Sequence, residues 1–217
     1  MRPIVTAVGP LTSASATNIR TASGVAGAGN LVLNGSLVSG GAATLDKARR
    51  ILFTTTADET TKTILLSGTN WAGDLISETV TLVNNSTVAS VLDYKTATSA
   101  YCSAALTGNL SVGTNSVAGS PWVYLDPWAL ANTALQCTVS GTVNYTVQTT
   151  LDNPNSPTDP VAAASMTWVA SNDTDVVGAT ATKQSNLFFV PAYVRLLLNS
   201  GTGSVTMTVI QSGVVPR

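Results

Sequence analysis

The sequence predicts an all-β protein: two antiparallel β-sandwich-like domains preceded by an extended N-terminal arm. Three observations point there. Short Thr/Val/Ile-rich segments alternate apolar and polar residues with a period of two. Clusters of Gly, Asn, Asp and Ser separate these segments at short intervals. No stretch sustains a helical period beyond single turns at residues 45–51 and 127–135.

Residues 1–29 read as the arm. Positions 11–29 are small and polar, with Gly24, Gly27 and Gly29 near their end. The first 45 residues contain no Asp or Glu, but do contain Arg2 and Arg20. This composition suits docking on an acidic neighbour or packing back on the chain's own domain.

Residues 30–119 form the first expected domain. The runs at 50–56 (RILFTTT) and 62–67 (KTILLS) flank a polar turn with Asp58 and Glu59. A Gly/Asn/Asp turn follows at 68–74. In residues 76–82, Ile76, Val80 and Leu82 share one parity while Ser77, Thr79 and Thr81 take the other, a half-buried strand. Asn84-Asn85-Ser86 turns the chain again. Segments 88–92, 94–105 and 110–113 continue the series, with Thr107-Gly108-Asn109 as a tight hairpin connection.

Small residues at 116–120 mark the junction, and residues 120–217 form the second expected domain. Segments 134–139 and 142–149 predict a hairpin around Ser140-Gly141. Segments 193–198 and 204–211 predict a matching one through Asn199-Ser200-Gly201-Thr202-Gly203.

Composition narrows the function. Charged residues make up 10% of the chain, against about 25% in an average protein. With a net charge of −1 and no basic stripe, nucleic acid is not an expected partner. Lys47, Arg49 and Arg50 are the densest basic group and read as a solvated or salt-bridged strand end. The hydrophobic fraction is 44% and the mean hydropathy +0.28, but apolar runs extend only a few residues. A spanning helix needs about 20, so no membrane partner is expected. The start has no apolar leader core, and the six Asn-x-Ser/Thr sequons, such as Asn34 and Asn144, are expected to be unused.

Chemistry-bearing groups are scarce. The chain has no histidine, the side chain nearest to neutral pH. Cys102 and Cys137 are the only cysteines and read as buried free thiols. The run 152–160, with Pro154, Pro157 and Pro160, is a stiff loop whose Asp152 and Asp159, like Asp173 and Asp175, lack calcium-loop spacing. Asp74 and Glu78 are the carboxylates close in sequence to Trp71, without a glycosidase-like context. Trp71, Trp122, Trp128, Trp168 and Tyr124 are a candidate sugar-stacking set, or ordinary packing. No catalytic residue, cofactor or metal site is predicted.

Residues 50–113 resemble a recurring module of tailed-bacteriophage virion proteins. The likeness lies in Ile64-Leu65-Leu66-Ser67-Gly68-Thr69-Asn70-Trp71-Ala72-Gly73-Asp74, Ser77-Glu78-Thr79-Val80, Tyr94-Lys95-Thr96 and the segment 108–114. Segments 141–148 and 194–211, with Asp152 and Thr167-Trp168, are similar to β modules of the same kind. The resemblance implies a virion structural role and transfers no catalytic residues.

The expected function is therefore a non-enzymatic capsid decoration or cement protein, a homo-oligomer located on the virion and assembled in the host cytoplasm. Its partners would be the major capsid protein or other virion subunits, with Arg2, Arg20, Arg49 and Arg50 as interface residues. The alternatives are a receptor- or glycan-binding module of a head or tail fibre, and a head-to-tail or tail component.

Overall fold

Alternating β-branched residues commit most of this sequence to extended backbone, since such side chains pack well on a pleated surface. The computed structural model describes residues 3–126 and 132–211. Within them lie β1 (Ile4–Val8), β2 (Ser15–Ser23), β3 (Gly29–Asn30), β4 (Val38–Ser39), β5 (Ala42–Thr55), β6 (Thr63–Thr69), β7 (Leu75–Thr81) and β8 (Thr87–Ala89). There follow β9 (Tyr94–Cys102), β10 (Leu110–Gly119), β11 (Val123–Tyr124), β12 (Thr133–Ser140), β13 (Val143–Thr150), β14 (Val169–Ala170), β15 (Lys183–Leu187), β16 (Tyr193–Gly201) and β17 (Ser204–Gln211). Single 3₁₀ turns at Ala163–Ser165 and Thr174–Val176 are the only helical elements among the described residues. The fold is all-β and antiparallel, as the period of two predicts.

The chain divides into two units. A terminal unit draws on Met1–Leu11 and Val117–Arg217; a central unit comprises Thr12–Ser116. The division thus falls inside β10, a few residues before the expected junction at 119/120.

The arm expected at residues 1–29 is not an arm. β1 pairs with β17 from Ile4↔Val209 to Val8↔Val205 and belongs to the terminal unit. β2 pairs with β10 in the central unit. Val8 and Ile19 are buried and tie these strands down. β1 carries Ile4, Val5 and Val8, but the small, polar run around Ile19 in β2 left little trace of its pairing in the sequence.

The terminal unit is a sandwich. One sheet runs β1-β17-β12-β15; the other holds β14-β13-β16, with the end of β10 and β11 both beside β16. One apolar cluster fills the space between, including Leu135 and Cys137 from β12, Tyr145 and Val147 from β13, Leu196 and Leu198 from β16, and Val205 and Met207 from β17. The two hairpins expected here do not form. β12 pairs with β17 and β13 with β16, so each Gly-rich turn carries the chain from one sheet to the other. The turns stack: the N–H groups of Thr202 and Gly203 both donate to the Thr142 carbonyl, at 3.0 and 2.9 Å. Only glycine fits at 203, because a Cβ there would lie 2.2 Å from the Ser140 carbonyl oxygen.

The central unit is built on the strand order β10-β5-β9-β6-β7, with β2 added to β10, β4 and β8 to β5, and β3 to β9. The hairpin expected around Thr107-Gly108-Asn109 is also absent, since β5 lies between β9 and β10. Ile19, Leu45, Ile51, Phe53, Ile64, Leu66, Leu82, Tyr94 and Leu110 are fully buried and form its interior.

Candidate assembly surface

The segment 64–74 folds as β6 and the turn into β7, a true hairpin in register from Thr63↔Thr81 to Thr69↔Leu75. Its turn is locked by one side chain. Asn70 Oδ1 accepts from the N–H groups of Ala72 (2.8 Å) and Asp74 (3.0 Å), and Asn70 Nδ2 donates to Asp74 Oδ2 at 2.9 Å. Gly73 supplies the positive φ of +92° that the turn requires. This rigid tip holds Trp71 at 37% exposure and Leu75 at 84%.

Behind the tip lies an outward sheet face. β6 presents Thr63, Leu65, Ser67 and Thr69, and β7 presents Leu75, Ser77, Thr79 and Thr81. Across β9, Tyr101 stands opposite Leu65 and Thr96 opposite Thr69. Thr69 and Thr96 are joined by a hydroxyl–hydroxyl bond of 2.7 Å. Leu65 and Tyr101 are each 44% exposed. None of these side chains is charged. Glu78 takes the inward parity of Ile76 and Val80, and its carboxylate accepts from the N–H groups of Val91 (2.8 Å) and Leu92 (3.1 Å). The signal of this face in the sequence is Leu65, an apolar residue on the otherwise hydroxyl-bearing parity of β6.

Several charged groups of the central unit turn inward instead, while Lys47 and Asp74 stay exposed. Arg49 is 0% exposed, which corrects its expected role at an interface. Its guanidinium donates to the carbonyl oxygens of Asn115 (2.7 Å from Nε) and Thr12 (3.0 Å) and to Asp46 Oδ1 (3.1 Å). Arg20, at 5% exposure, is corrected in the same way. It donates to the carbonyls of Leu110, Ser23 and Gly24 and so ties β2 to β10. Arg50 is half-buried beside Asp93, with 3.9 Å between Nε and Oδ1. Arg2 lies outside the described residues. A guanidinium suits such positions because its planar fork reaches several carbonyls at once.

Glu59 is buried, and its Oε1 accepts from the N–H groups of Thr107 (2.7 Å) and Gly108 (2.8 Å) while Lys62 donates to Oε2. Burial pushes its pKa up. The Lys62 ammonium and the two N–H groups outweigh that and hold the carboxyl below its ordinary value. Lys95 Nζ donates to the carbonyls of Leu45 (2.6 Å) and Asp46 (3.0 Å).

The remaining candidates make turns and packing. Asp152 Oδ2 accepts from the Thr167 N–H at 2.5 Å, Asp173 Oδ1 from the Asp175 N–H at 3.0 Å, and Asp175 lies 3.6 Å from Lys183. Asp74 belongs to the Asn70 turn. Among the described residues, no group of three or more Cys, Asp or Glu side chains is placed to hold a metal ion. In the terminal unit, Trp122 packs on Trp168 (5.3 Å between centroids) and Tyr193 (6.0 Å), and Tyr124 meets Tyr193 edge-on. The Arg195 guanidinium covers a face of Trp168 at 4.2 Å. These aromatics are thus engaged with one another. Trp71 belongs to the other unit, and Trp128 lies outside the described residues.

Cys102 and Cys137 are buried free thiols in different units. Burial pushes the Cys137 thiol up to about 11, against the opposing effect of its bond with Tyr145.

No protein-family model matches this chain, and no curated protein sequence matches it.

Proposed function

We propose that this chain is a non-enzymatic structural subunit of a virus particle, of the kind that decorates or cements a bacteriophage head. Its contact surface is the β9–β6–β7 face with the Trp71 tip, and its partners are the major capsid protein, other virion subunits or further copies of itself.

The observation that supports this reading is the uncharged strand face; the charge at its tip, Asp74, is held within the turn by the Asn70 amide. Covering a charge removes its hydration at a cost of several kcal/mol unless a partner is supplied. Covering Thr and Ser hydroxyls that find new hydrogen bonds, or Leu65, Leu75 and Tyr101, carries no such cost. Interface cores are depleted in charge and enriched in aromatic residues, and a rigid Trp is the commonest energetic anchor. The Asn70 turn fixes Trp71 before contact, so little order is lost on docking. The virion context rests on the resemblance of residues 50–113.

The test is co-sedimentation with particles lacking the chain, comparing the wild type with the double variant Leu65→Asp/Leu75→Asp. The wild type is expected to bind, and the variant to bind at least about 100-fold more weakly with an unchanged melting temperature. Equal binding by the two would overturn the proposal.

A further inference from the structure

The outer face of the terminal unit's first sheet carries a groove of about 550 Å³. Three neighbouring strands line it in two cross-strand rows. Thr208 in β17, Gln136 in β12 and Gln184 in β15 form one row; Ile210, Ala134 and Asn186 form the next. The period of two points all six outward, away from the sandwich core. Ala134, in the middle strand between the longer Ile210 and Asn186, makes the floor of the depression.

The lining is rich in carboxamides. Gln136, Gln184 and Asn186 each offer two N–H donors and a carbonyl acceptor, and among the described residues none of these three side chains makes a hydrogen bond within the chain. Asn144, Asn153 and Asn199, by contrast, use theirs to hold the unit together. Among the described residues, the one charged group in the lining is Asp173. The Ser185 hydroxyl and the Asp175 N–H hold its carboxyl below the ordinary aspartate range, so it is ionised at neutral pH. Among the described residues, no cation lines the groove.

We propose that this groove binds an uncharged sugar residue. Vicinal hydroxyls both donate and accept, which matches carboxamides in kind. A carboxylate accepts from two hydroxyls at once, and the Ile210 and Ala134 side chains suit the C–H face of the ring. The same lining disfavours phosphates, sialic acids and nucleic acid, because Asp173 is repulsive and the Lys183 ammonium near it is not among the described lining residues. The volume lies within the range of small-ligand sites. This inference is independent of the assembly reading and lies in the other unit.

Saturation-transfer and amide-shift NMR on the full chain would test it, with glucose, galactose, mannose and N-acetylglucosamine as probes. Their methyl glycosides stand for a terminal residue of a glycan, and sialic acid is the charged control. At least one neutral sugar is expected to bind with a Kd on the order of 1 mM, with shifts confined to β12, β15 and β17. Binding by the glycoside as well assigns the site to glycans; binding by the free sugar alone assigns it to monosaccharides. Gln136→Leu and Asp173→Asn are each expected to weaken binding about tenfold, and Ala134→Phe to abolish it by filling the floor. Ala134 and Gln136 are exposed, so folding is retained, and an unchanged melting curve checks this. No binding by any neutral probe at 50-fold above about 1 mM, equal binding of sialic acid, or binding unaffected by Ala134→Phe would each overturn the proposal.

Discussion

Leu65 in β6 stands directly opposite Tyr101 in β9, and both side chains open to solvent. Such an apolar cross-strand pair contributes about 0.2–1 kcal/mol to the sheet, too little to explain two large exposed side chains by stability alone. Tyr101→Lys is therefore expected to shift unfolding by less than about 1 kcal/mol while abolishing concentration-dependent self-association in sedimentation velocity. A variant that associates like the wild type would remove this face from the oligomer contact.

Arg49 is expected to be the most sensitive charged position for stability. Arg49→Ala would leave carbonyls of Thr12 and Asn115 without this donor, and would take the guanidinium from the Asp46 carboxylate, which keeps the Thr12 N–H. Breaking one side of a buried pair costs about 3–5 kcal/mol, read as a lower urea midpoint for the central unit. Arg49→Lys is expected to recover only a minor part, because an ammonium cannot reach these acceptors in a fork. A loss below about 1 kcal/mol for Arg49→Ala would show that the network is not stabilising.

The acid limb of stability should carry the signature of Glu59. Its folded pKa lies below the ordinary 4.5, so the unfolded chain takes up the proton first and falling pH favours unfolding. The contribution is present in full above that ordinary value and is lost as pH falls through the folded pKa. Asp46 acts in the same direction: burial raises its pKa, but the Thr12 N–H and Arg49 bring it below the ordinary 3.8. Urea midpoints are expected to be flat from pH 8 to about pH 5, helped by the absence of histidine, and to fall below that. Glu59→Gln should be less stable at pH 7 and show a shallower acid limb; a limb identical to the wild type would contradict this assignment.

Strand identity was legible in the sequence; strand partners were not. The parity of Ile76, Val80 and Leu82 placed β7, and Val205, Met207 and Val209 placed the inward face of β17. The turns at 140–142 and 201–203 read as hairpins, because a Gly-rich turn looks the same whether the chain returns to its own sheet or crosses to the other. Only the cross-pairing of β12 with β17 and of β13 with β16 distinguishes them. The arginines were misjudged because charge normally reports a surface. Arg20 and Arg49 are buried on backbone carbonyls, which carry no sequence signal. The groove was invisible for a related reason: Gln136 and Gln184 lie far apart in the chain and meet only through the β12–β15 register.

Both thiols should be silent in the native chain. Cys102 donates from Sγ to the Ala104 carbonyl at 3.1 Å, and Cys137 sits in the terminal-unit core with its pKa at about 11. The thiolate is the reactive form and is scarce at Cys137 at neutral pH, while Cys102 is shielded by complete burial. A thiol reagent at pH 8 is expected to label neither within minutes, and both after guanidinium denaturation. Rapid native labelling of Cys137 would show that its core opens readily.

The most direct test of the central claim is a cryo-electron microscopy map of the assembled particle that contains this chain. The β9–β6–β7 face is expected to lie against a neighbouring subunit, with Trp71, Leu65 and Tyr101 covered. A map in which that face points to solvent, while another surface makes the contacts, would contradict it.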